Sequence, residues 1–361
     1  MEDKVEEVLA QYPVQAGNKK RVRGAILLET EEGLCLLREF SGKRGHLELE
    51  EALKKHLVEQ GYSLVDIAVR NSRGELLTRD SAGGFWLMKQ WFSGRECDLR
   101  DAGQVRQAMV HLARLHQWMV EDENWEQQEE MQLAAADLGG EMEEQEEARH
   151  LVEHDPQKMA SIPMAKDFFG RRNRELKRVH TYIRKKRRKN EMELVLLDSF
   201  SHYYEQGCEA QRLDIEEKNY ECLLKKAYEE KRLIHGSYNY HNILFHGKDI
   251  ITTNFDNAKI GIQMLDLYGF LRKVMEKNGW RQELGMQLIE AYRKQRELSV
   301  EERHLLYTLL LFPEKYWKQC NFYYNGKKSW VSGKSYEKLL RIRKQEAGRI
   351  QFLEMTKGLL F

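Results

Sequence analysis

The residues of this 361-residue chain that are best placed to do chemistry lie between positions 233 and 272. The stretch begins with His235-Gly236, continues to an amide at Asn242, and then offers a second polar pair at Asn254 and Asp256. Amide and carboxylate oxygens are the ligands that Mg²⁺ prefers in proteins. Phosphoryl-transfer enzymes of two-lobed architecture use one such loop to hold both a base for the acceptor hydroxyl and an amide ligand for the metal. The stretch is therefore a candidate phosphoryl-transfer site.

The same stretch interrupts a helical pattern, which indicates a loop followed by a hairpin. His235-Gly236 opens a tight turn and Asn242 closes it. Two short strands are then predicted, from Ile243 to Phe245 and from Ile250 to Asn254, around a polar tip at residues 246–249. A second carboxylate at the end of such a hairpin completes the metal site in this architecture.

Upstream of the loop, short apolar runs bounded by turn residues predict a small β-rich lobe. We expect a five-stranded antiparallel sheet interrupted by one helix, which Gly61 ends. The predicted strands are Val22 to Thr30, Leu34 to Phe40, Val65 to Arg70, Glu75 to Arg79 and Phe85 to Phe92, and the helix is Leu47 to Gly61.

Beyond residue 94 the apolar spacing becomes helical, which predicts a larger helical lobe. The resulting division is an N-terminal helical extension at 1–20, a β-rich lobe at 21–93 and a helical lobe at 94–361. The predicted helices are Val105 to Met119, Met192 to Gln211, Glu217 to Arg232 and a series from Glu301 to Leu353 that is interrupted by Pro313 and by a turn at Asn325-Gly326.

Two motifs resemble known families. The segment HGSYNYHN…NFD…LDLYGFLRK is similar to the HGDxxxxN loop and following IDF or IDxD sequence of the aminoglycoside phosphotransferase and choline kinase-like group. More narrowly, FPEKYWKQCNFYYNGKKSW, from Phe312 to Trp330, resembles the spore coat protein S (CotS) family of endospore-forming bacteria. The resemblance spans the chain from about residue 20 onward and implies an α+β, two-lobed, protein-kinase-like fold.

Carried over by residue, the resemblance exposes departures from the family pattern. The catalytic Asp after His-Gly is replaced by Ser237, and a hydroxyl cannot serve as the base near neutral pH. Asn242 keeps the position of the Mg²⁺-binding amide. The hairpin-end carboxylate is replaced by Asn254, a weaker ligand, and Asp256 could substitute for it only if the loop shifted its register.

The nucleotide-binding positions are altered as well. Arg38 stands where the family has its phosphate-holding Lys, and its helix partner is either Glu48 or Glu51. The hinge is expected at Lys89 to Trp91, and the first hairpin offers Gly24 alone in place of a glycine-rich loop.

These substitutions favour a degenerate kinase, a pseudokinase. The family resemblance implies that it acts as a structural or assembly component of the spore coat. The resemblance implies ATP and Mg²⁺ as candidate cofactors. It also implies synthesis in the mother-cell cytoplasm and coat proteins as partners, and it disfavours a small-molecule substrate. His235 and Asp266 are expected to brace the loop rather than to react. The alternative is an active ATP- and Mg²⁺-dependent phosphotransferase that acts on a hydroxylated small molecule.

The charges suggest a further alternative. The whole chain carries 59 Lys and Arg against 58 Asp and Glu, which argues against a generally nucleic-acid-coating protein. Locally, however, residues 121–155 hold 14 acidic residues against one Arg, and 171–189 hold 11 basic residues against one Glu. The basic segment could bind nucleic acid or an anionic surface. Apolar residues at spacings of three to four indicate instead that one side of this helix packs on the protein and the other meets an acidic partner, which could be the chain's own segment at 121–155.

Other features predict less specific roles. The five cysteines form no short metal-ligand spacing and read as reduced, mostly buried thiols. A zinc site at His235, His241 and His246 is disfavoured because no cysteine joins them. No export sequence or membrane-spanning run is visible. The aromatic residues in the tail form either part of the core or an exposed assembly patch, and they are Trp317, Phe322, Tyr323, Tyr324 and Trp330.

Overall fold

A computed structural model describes residues 2–22, 24–120, 168–325 and 333–360 of the chain. The acidic run at 121–155 and Trp330 therefore lie outside the described residues. The chain divides into two compact units, and among the described residues the first comprises 2–98, 115–120 and 233–260. This division differs from the predicted boundary at residue 93, because the candidate catalytic loop groups with the N-terminal segment and not with the helices.

The first unit is built on a five-stranded antiparallel sheet with the strand order β1-β2-β3-β5-β4. One helix precedes the sheet and another lies between its third and fourth strands. The elements are α1 (Glu2–Leu9), β1 (Ala16–Val22), β2 (Ala25–Thr30), β3 (Gly33–Phe40), α2 (Arg44–Glu59), β4 (Thr78–Arg79) and β5 (Phe85–Trp91).

The sheet has five strands, as predicted, but one of its strands was not predicted and one predicted strand is not part of it. Residues 16–20 belong to strand β1 and not to a helical extension, and the strand is almost entirely polar and exposed, so that no apolar alternation marked it. The run from Val65 to Arg70 is not a strand and makes only isolated bridges. There the amide of Ala68 donates to the Glu51 carboxylate at 2.9 Å, a side-chain bond that competes with ladder pairing.

The two faces of the sheet have different partners. Leu28, Leu37 and Met88 pack with Val8 and the rest of α1 in one apolar cluster. The side chains at the alternate positions of β3 and β5 point to the other face, where Leu36 lies opposite Lys89. This second face carries the charged groups of the candidate site.

The segment at 233–260 forms two small sheets within the first unit. Strand β7 (Leu233–Ile234) pairs with β10 (Lys259–Ile260), and the hairpin of β8 (Ile243–His246) and β9 (Asp249–Thr252) pairs with β6 (Arg95–Glu96). The predicted hairpin is confirmed, but its second strand ends two residues early, before Asn254.

The second unit is helical in the part that the structure describes. The predicted helices are confirmed with shifted ends, and the break at Pro313 falls between α9 and α10. The helices are α3 (Ala102–Trp118, whose last turn falls in the first unit), α4 (Phe168–Lys185), α5 (Glu191–Glu217), α6 (Asn219–Glu229), α7 (Met264–Lys277), α8 (Gln282–Gln295), α9 (Val300–Leu311), α10 (Glu314–Asn325) and α11 (Gly333–Leu360).

The core of these helices takes in the apolar side of the basic segment, as predicted. Leu176, Val179 and Ile183 of α4 are buried with aromatic residues of α5 and α10. Among the described aromatic residues of the tail, Tyr323 is buried in this cluster, whereas Phe322 is 66% exposed. None of the described helices is long and apolar enough to cross a bilayer.

Candidate functional site

The centre of the candidate site is an ion pair between Arg38 on β3 and Asp256, just beyond the hairpin. The two guanidinium nitrogens Nη1 and Nη2 donate to Asp256 Oδ2 and Oδ1, each at 2.7 Å. This parallel, two-bond geometry is the strongest form of a hydrogen-bonded ion pair. His46 donates from Nε2 to the backbone carbonyl of Asp256 at 2.6 Å. The residue that was predicted to replace a metal ligand is therefore held by protein groups.

Lys89 is the second cation on this carboxylate. Arg38 lies opposite Leu87 in the pairing of β3 with β5, so these two side chains share a face of the sheet. Lys89 is two residues beyond Leu87 and therefore lies on that same face. Its Nζ lies 3.0 Å from Asp256 Oδ1, 2.5 Å from Glu50 Oε1 and 3.4 Å from Asp66 Oδ2. The Lys89 side chain is 1% exposed, so these contacts are shielded from water.

A third cation, Lys54, completes the cluster on α2. Its Nζ donates to Glu50 Oε1 at 2.9 Å and to the backbone carbonyl of Asp66 at 2.7 Å, and it forms an ion pair with Glu51. The cluster thus contains three cations and four carboxylates, those of Glu50, Glu51, Asp66 and Asp256. Such a buried set persists only when its charges are mutually paired.

The expected partner of Arg38 was wrong in both alternatives. Glu48 is exposed and pairs with Arg44 at 3.3 Å, and Glu51 pairs with Lys54. Arg38 forms its ion pair with Asp256 instead, and Glu50 is the helix glutamate that contacts Lys89 in the cluster. The predicted hinge is also displaced, since Lys89 and the half-buried Trp91 belong to strand β5 and the chain leaves the strand only after Trp91.

The charges of the cluster shift each other's titration. Partial burial by itself would raise the pKa of Asp256, but the hydrogen bonds from Arg38 and the charge of Lys89 hold that pKa well below its ordinary range. Burial would lower the pKa of Lys89, yet the carboxylates of Asp66, Glu50 and Asp256 raise it. Both groups are therefore ionised at neutral pH.

The loop before the hairpin is shaped by His235 and Gly236. The buried His235 ring accepts the backbone N–H of Ser237 at Nδ1, at 3.1 Å, and its Nε2 donates to the carbonyl of Thr253 at 3.2 Å. Gly236 has a φ of +71°, and a Cβ there would lie 2.1 Å from the carbonyl oxygen of Asn257. Only glycine fits this close approach of two backbone segments.

Ser237 occupies the position where a base was expected, and its surroundings suit a hydroxyl. The Ser237 Oγ accepts a hydrogen bond from Asn257 Nδ2 at 2.7 Å. Its backbone carbonyl accepts from Asn242 Nδ2 at 2.9 Å and from Asn239 Nδ2 at 2.8 Å. The side chain is part of a network of neutral groups, which do not accept a proton near neutral pH.

The two amides that were candidate metal ligands bind each other. Asn254 Nδ2 donates to Asn242 Oδ1 at 2.9 Å, so the oxygen that a metal would need already has a donor. Asn254 adopts a left-handed conformation with φ of +62°, which Asn tolerates better than most residues, and its N–H donates to Asp66 Oδ2 at 2.9 Å.

These donors do not fit a divalent cation. An Mg²⁺ site is built from carboxylates and other oxygens that are open to the metal. Here the Asn242 oxygen accepts a bond from the Asn254 amide, and the charge of the Asp256 carboxylate is compensated by Arg38 and Lys89. Within the described ranges, no group of three or more His, Cys, Asp or Glu side chains is arranged to hold a metal.

The remaining sequence candidates are dispersed. His241 contacts Glu96 at 2.6 Å and His246 contacts Ser93 at 3.2 Å, so the three histidines weighed for zinc have separate partners. Asp266 is buried in the first turn of α7, in the second unit.

Sequence reasoning missed Glu50, Lys54 and Asp66. The signal was present in the helix pattern, because Glu50 and Lys54 lie at the i+3 and i+7 positions from the buried Leu47. Charged residues on an apolar stripe indicate a buried ion pair. The strand FWLMKQW carries a similar signal, since Lys89 alternates onto the same face as the buried Leu87.

Solved structures with a similar fold define the class. An aminoglycoside phosphotransferase from Alicyclobacillus acidocaldarius superposes with a TM-score of 0.79 at 16% identity, covering 98% of this chain and 96% of that one. A spectinomycin phosphotransferase solved with ADP and spectinomycin has a TM-score of 0.55 at 10% identity, covering 96% of this chain and 98% of that one. An amicoumacin kinase solved with AMP-PNP and Ca²⁺ has a TM-score of 0.53 at 14% identity, covering 97% of this chain and 93% of that one. The chain therefore has the α+β, two-lobed, protein-kinase-like fold of these phosphotransferases.

The family is narrower than the fold. A family model described as spore coat putative kinase YutH matches residues 124–356, and the chain belongs to that family. The resemblance to a kinase-like spore coat family is thereby confirmed. Among curated proteins, none matches this sequence.

The close approach at Gly236 predicts a specific sensitivity to substitution. Gly236→Ala should destabilise the protein by more than Gly247→Ala, by about 1 kcal/mol or more, because both substitutions place a side chain at positive φ but only the first meets a backbone atom. Urea unfolding of the two variants measures the difference in the free energy of unfolding. Equal losses would show that the loop relaxes around the added methyl group.

The shifted pKa of Asp256 predicts a pH-dependent contribution to stability. Asp256→Asn should lower the free energy of unfolding at pH 7 by about 1–3 kcal/mol, less than for a fully buried pair because the carboxylate is 34% exposed. The folded-state pKa lies below the ordinary value of about 4, so this advantage of the native chain is complete above that value and shrinks as the pH falls toward the folded-state pKa.

Urea unfolding at several pH values checks this expectation. Asp249→Asn, at an exposed position of the same hairpin, is the matched control and should change stability by no more than about 0.5 kcal/mol. A difference between native chain and Asp256→Asn that stays constant from pH 7 to pH 3 would contradict the assigned ion pair.

Proposed function

We propose that this chain is a pseudokinase that serves as a structural or assembly component of the spore coat. Its membership of a spore coat family and its phosphotransferase-like fold support this proposal. The observation that carries the proposal is the bond between Asn254 Nδ2 and Asn242 Oδ1, which uses the amide oxygen that phosphoryl transfer would need for a metal.

The position of the base supports the same conclusion. A positioned base contributes roughly 10²- to 10⁴-fold to the rate of such a reaction. Ser237 cannot supply this contribution, and its Oγ is bonded to the amide of Asn257. Proton removal from an acceptor hydroxyl would have to proceed without a protein base at that position.

The charge cluster also supports the pseudokinase proposal, because it involves the residue expected to hold the phosphates of ATP. Arg38 stands at the phosphate-holding position, but its guanidinium is taken up by Asp256 through two bonds of 2.7 Å. A bound ATP would have to displace this carboxylate to reach Arg38. The neighbours solved with ADP and AMP-PNP make ATP the ligand to test, and we expect weak binding or none.

One observation favours the alternative of an active phosphotransferase. Lys89 and Glu50 form a buried strand-to-helix ion pair at 2.5 Å, which is the kind of pair that kinases use to orient phosphates. In that alternative Lys89 of β5 would take over the role of the missing β3 lysine, and Asn242 would release Asn254 to bind Mg²⁺-ATP.

A comparison of ATP binding and turnover separates these two functions. The native chain should show no Mg²⁺-dependent rise in melting temperature with ATP and no Mg²⁺-dependent ATP turnover, because the ligand positions are internally bonded. The Ser237→Asp, Asn254→Asp variant restores a base and a carboxylate and should gain Mg²⁺-dependent stabilisation by ATP. Ser93→Asp, Asn18→Asp, at exposed positions, adds the same charge as a control.

Turnover by the native chain above that of a heat-inactivated sample would refute the pseudokinase proposal. It would establish the alternative, in which Lys89→Met should then abolish turnover. Stabilisation by ATP without turnover would leave the pseudokinase standing as a nucleotide-binding one.

The assembly role predicts that the chain acts through its folded surface and not through Ser237. In sporulating cells that lack the native gene, a Ser237→Ala chain should restore coat composition to the same extent as the native chain, because the hydroxyl does no chemistry. Gel analysis of extracted coat protein measures the outcome. Loss of coat proteins with Ser237→Ala, at an undiminished level of the folded variant, would show that the site is needed.

A further inference from the structure

The helix α4 presents a row of cations that neither the fold nor the candidate site uses. Its apolar side is fixed in the helical core by Leu176, Val179 and Ile183. The opposite side and the following turn carry exposed cations, here called the basic face, and they are Lys177, Arg178, Arg184, Lys185, Arg187 and Arg188.

The geometry of the helix aligns these charges. Lys177 and Arg184, and likewise Arg178 and Lys185, are seven residues apart, which places each pair on one side of the helix about 10.5 Å apart along its axis. The exposed Thr181 lies midway between the cations of both pairs. The helix thus holds four of the cations in two short rows on a preformed surface, and Arg187 and Arg188 follow in the turn.

The basic face lacks the compensation seen on other helices of the chain. Exposed lysines elsewhere pair with a carboxylate four residues away, as in Lys55–Glu59, Lys225–Glu229 and Lys294–Glu290 at 3.5–4.0 Å. Within the described residues, none of the six cations of the basic face forms such an ion pair. Among the described residues the positive charge of this face is therefore uncompensated, which suits it to binding an anionic partner.

The aromatic residues nearby indicate which anionic partner fits. Nucleic acids without sequence preference are commonly held by bases stacked on exposed rings. On α4, the His180 ring stacks on Phe200 with centroids 3.8 Å apart, and the Tyr182 ring packs edge-on against Tyr324 at 5.7 Å. Both rings are turned toward the helical core, which leaves charge alone to recognise the partner.

We infer that the basic face is a docking surface for an extended acidic segment of another coat protein. Carboxylates spaced along a polypeptide can pair with two parallel rows of Lys and Arg, and the Arg side chains can each hold a carboxylate by two bonds. The basic face shares no residue with the candidate site, so this role does not require nucleotide binding or catalysis.

Binding to a fluorescent poly-L-glutamate of about 20 residues tests the inference with the full chain. The native chain should bind at about 50 mM salt and lose affinity steeply as salt rises, because paired exposed charges are screened. The variant Lys177→Gln, Arg178→Gln, Arg184→Gln, Lys185→Gln should lose affinity by a factor of roughly ten or more. The control Lys55→Gln, Lys225→Gln, Lys248→Gln, Lys294→Gln removes the same total charge from other exposed positions and should retain affinity within about twofold.

A second measurement covers the case in which the fourfold variant does not fold. Carbodiimide cross-linking of the native chain to the same peptide should join its glutamates to Lys177 and Lys185 in preference to Lys248 and Lys294. Absence of binding, or equal losses in both variants, would overturn the inference. Tighter binding of single-stranded RNA of equal length would assign the face to nucleic acid instead, and salt-sensitive self-association in sedimentation would assign it to a second copy of the chain.

Discussion

The bonding around Asp256 is the constraint on which the rest of the candidate site depends. A carboxylate held by Arg38 through two bonds and by Lys89 through a third has its charge compensated by protein cations, without a divalent ion. The left-handed turn at Asn254 allows this arrangement, because it takes the chain out of the strand before Asp256 and directs the carboxylate to the sheet. The cations of β3 and β5 and the acids of α2 then form one cluster that joins sheet, helix and loop.

This cluster explains why the substitutions at the site occur together. With Asp256 neutralised by protein cations, the oxygen of Asn242 is left for Asn254, and a neutral amide there completes the bond where a carboxylate would repel Asp66. Ser237 then lies among neutral amides. The result is a loop whose polar groups bond to one another.

The sequence predicts the fold and the positions of the site residues, but it does not predict which side chains contact one another. The helix and hairpin patterns place Ser237 and Asn242 in the loop before the hairpin and Asn254 and Asp256 just after it, because local spacing determines these elements. The partner of Arg38 depends on which residues three elements bring together over 218 positions of the chain, and neither periodicity nor spacing encodes that contact. Strand β1 was missed for the opposite reason, since an edge strand whose side chains face water has no apolar pattern to read.

That same strand determines how the sheet meets other molecules. An open sheet edge offers unpaired backbone groups to any passing strand, and rows of lysine and arginine along an edge are a common protection against such pairing. Lys19, Lys20 and Arg21 supply it here, at exposed positions of β1. Two copies of this border would bring like charges together, so pairing of one sheet edge with the same edge of another copy is disfavoured.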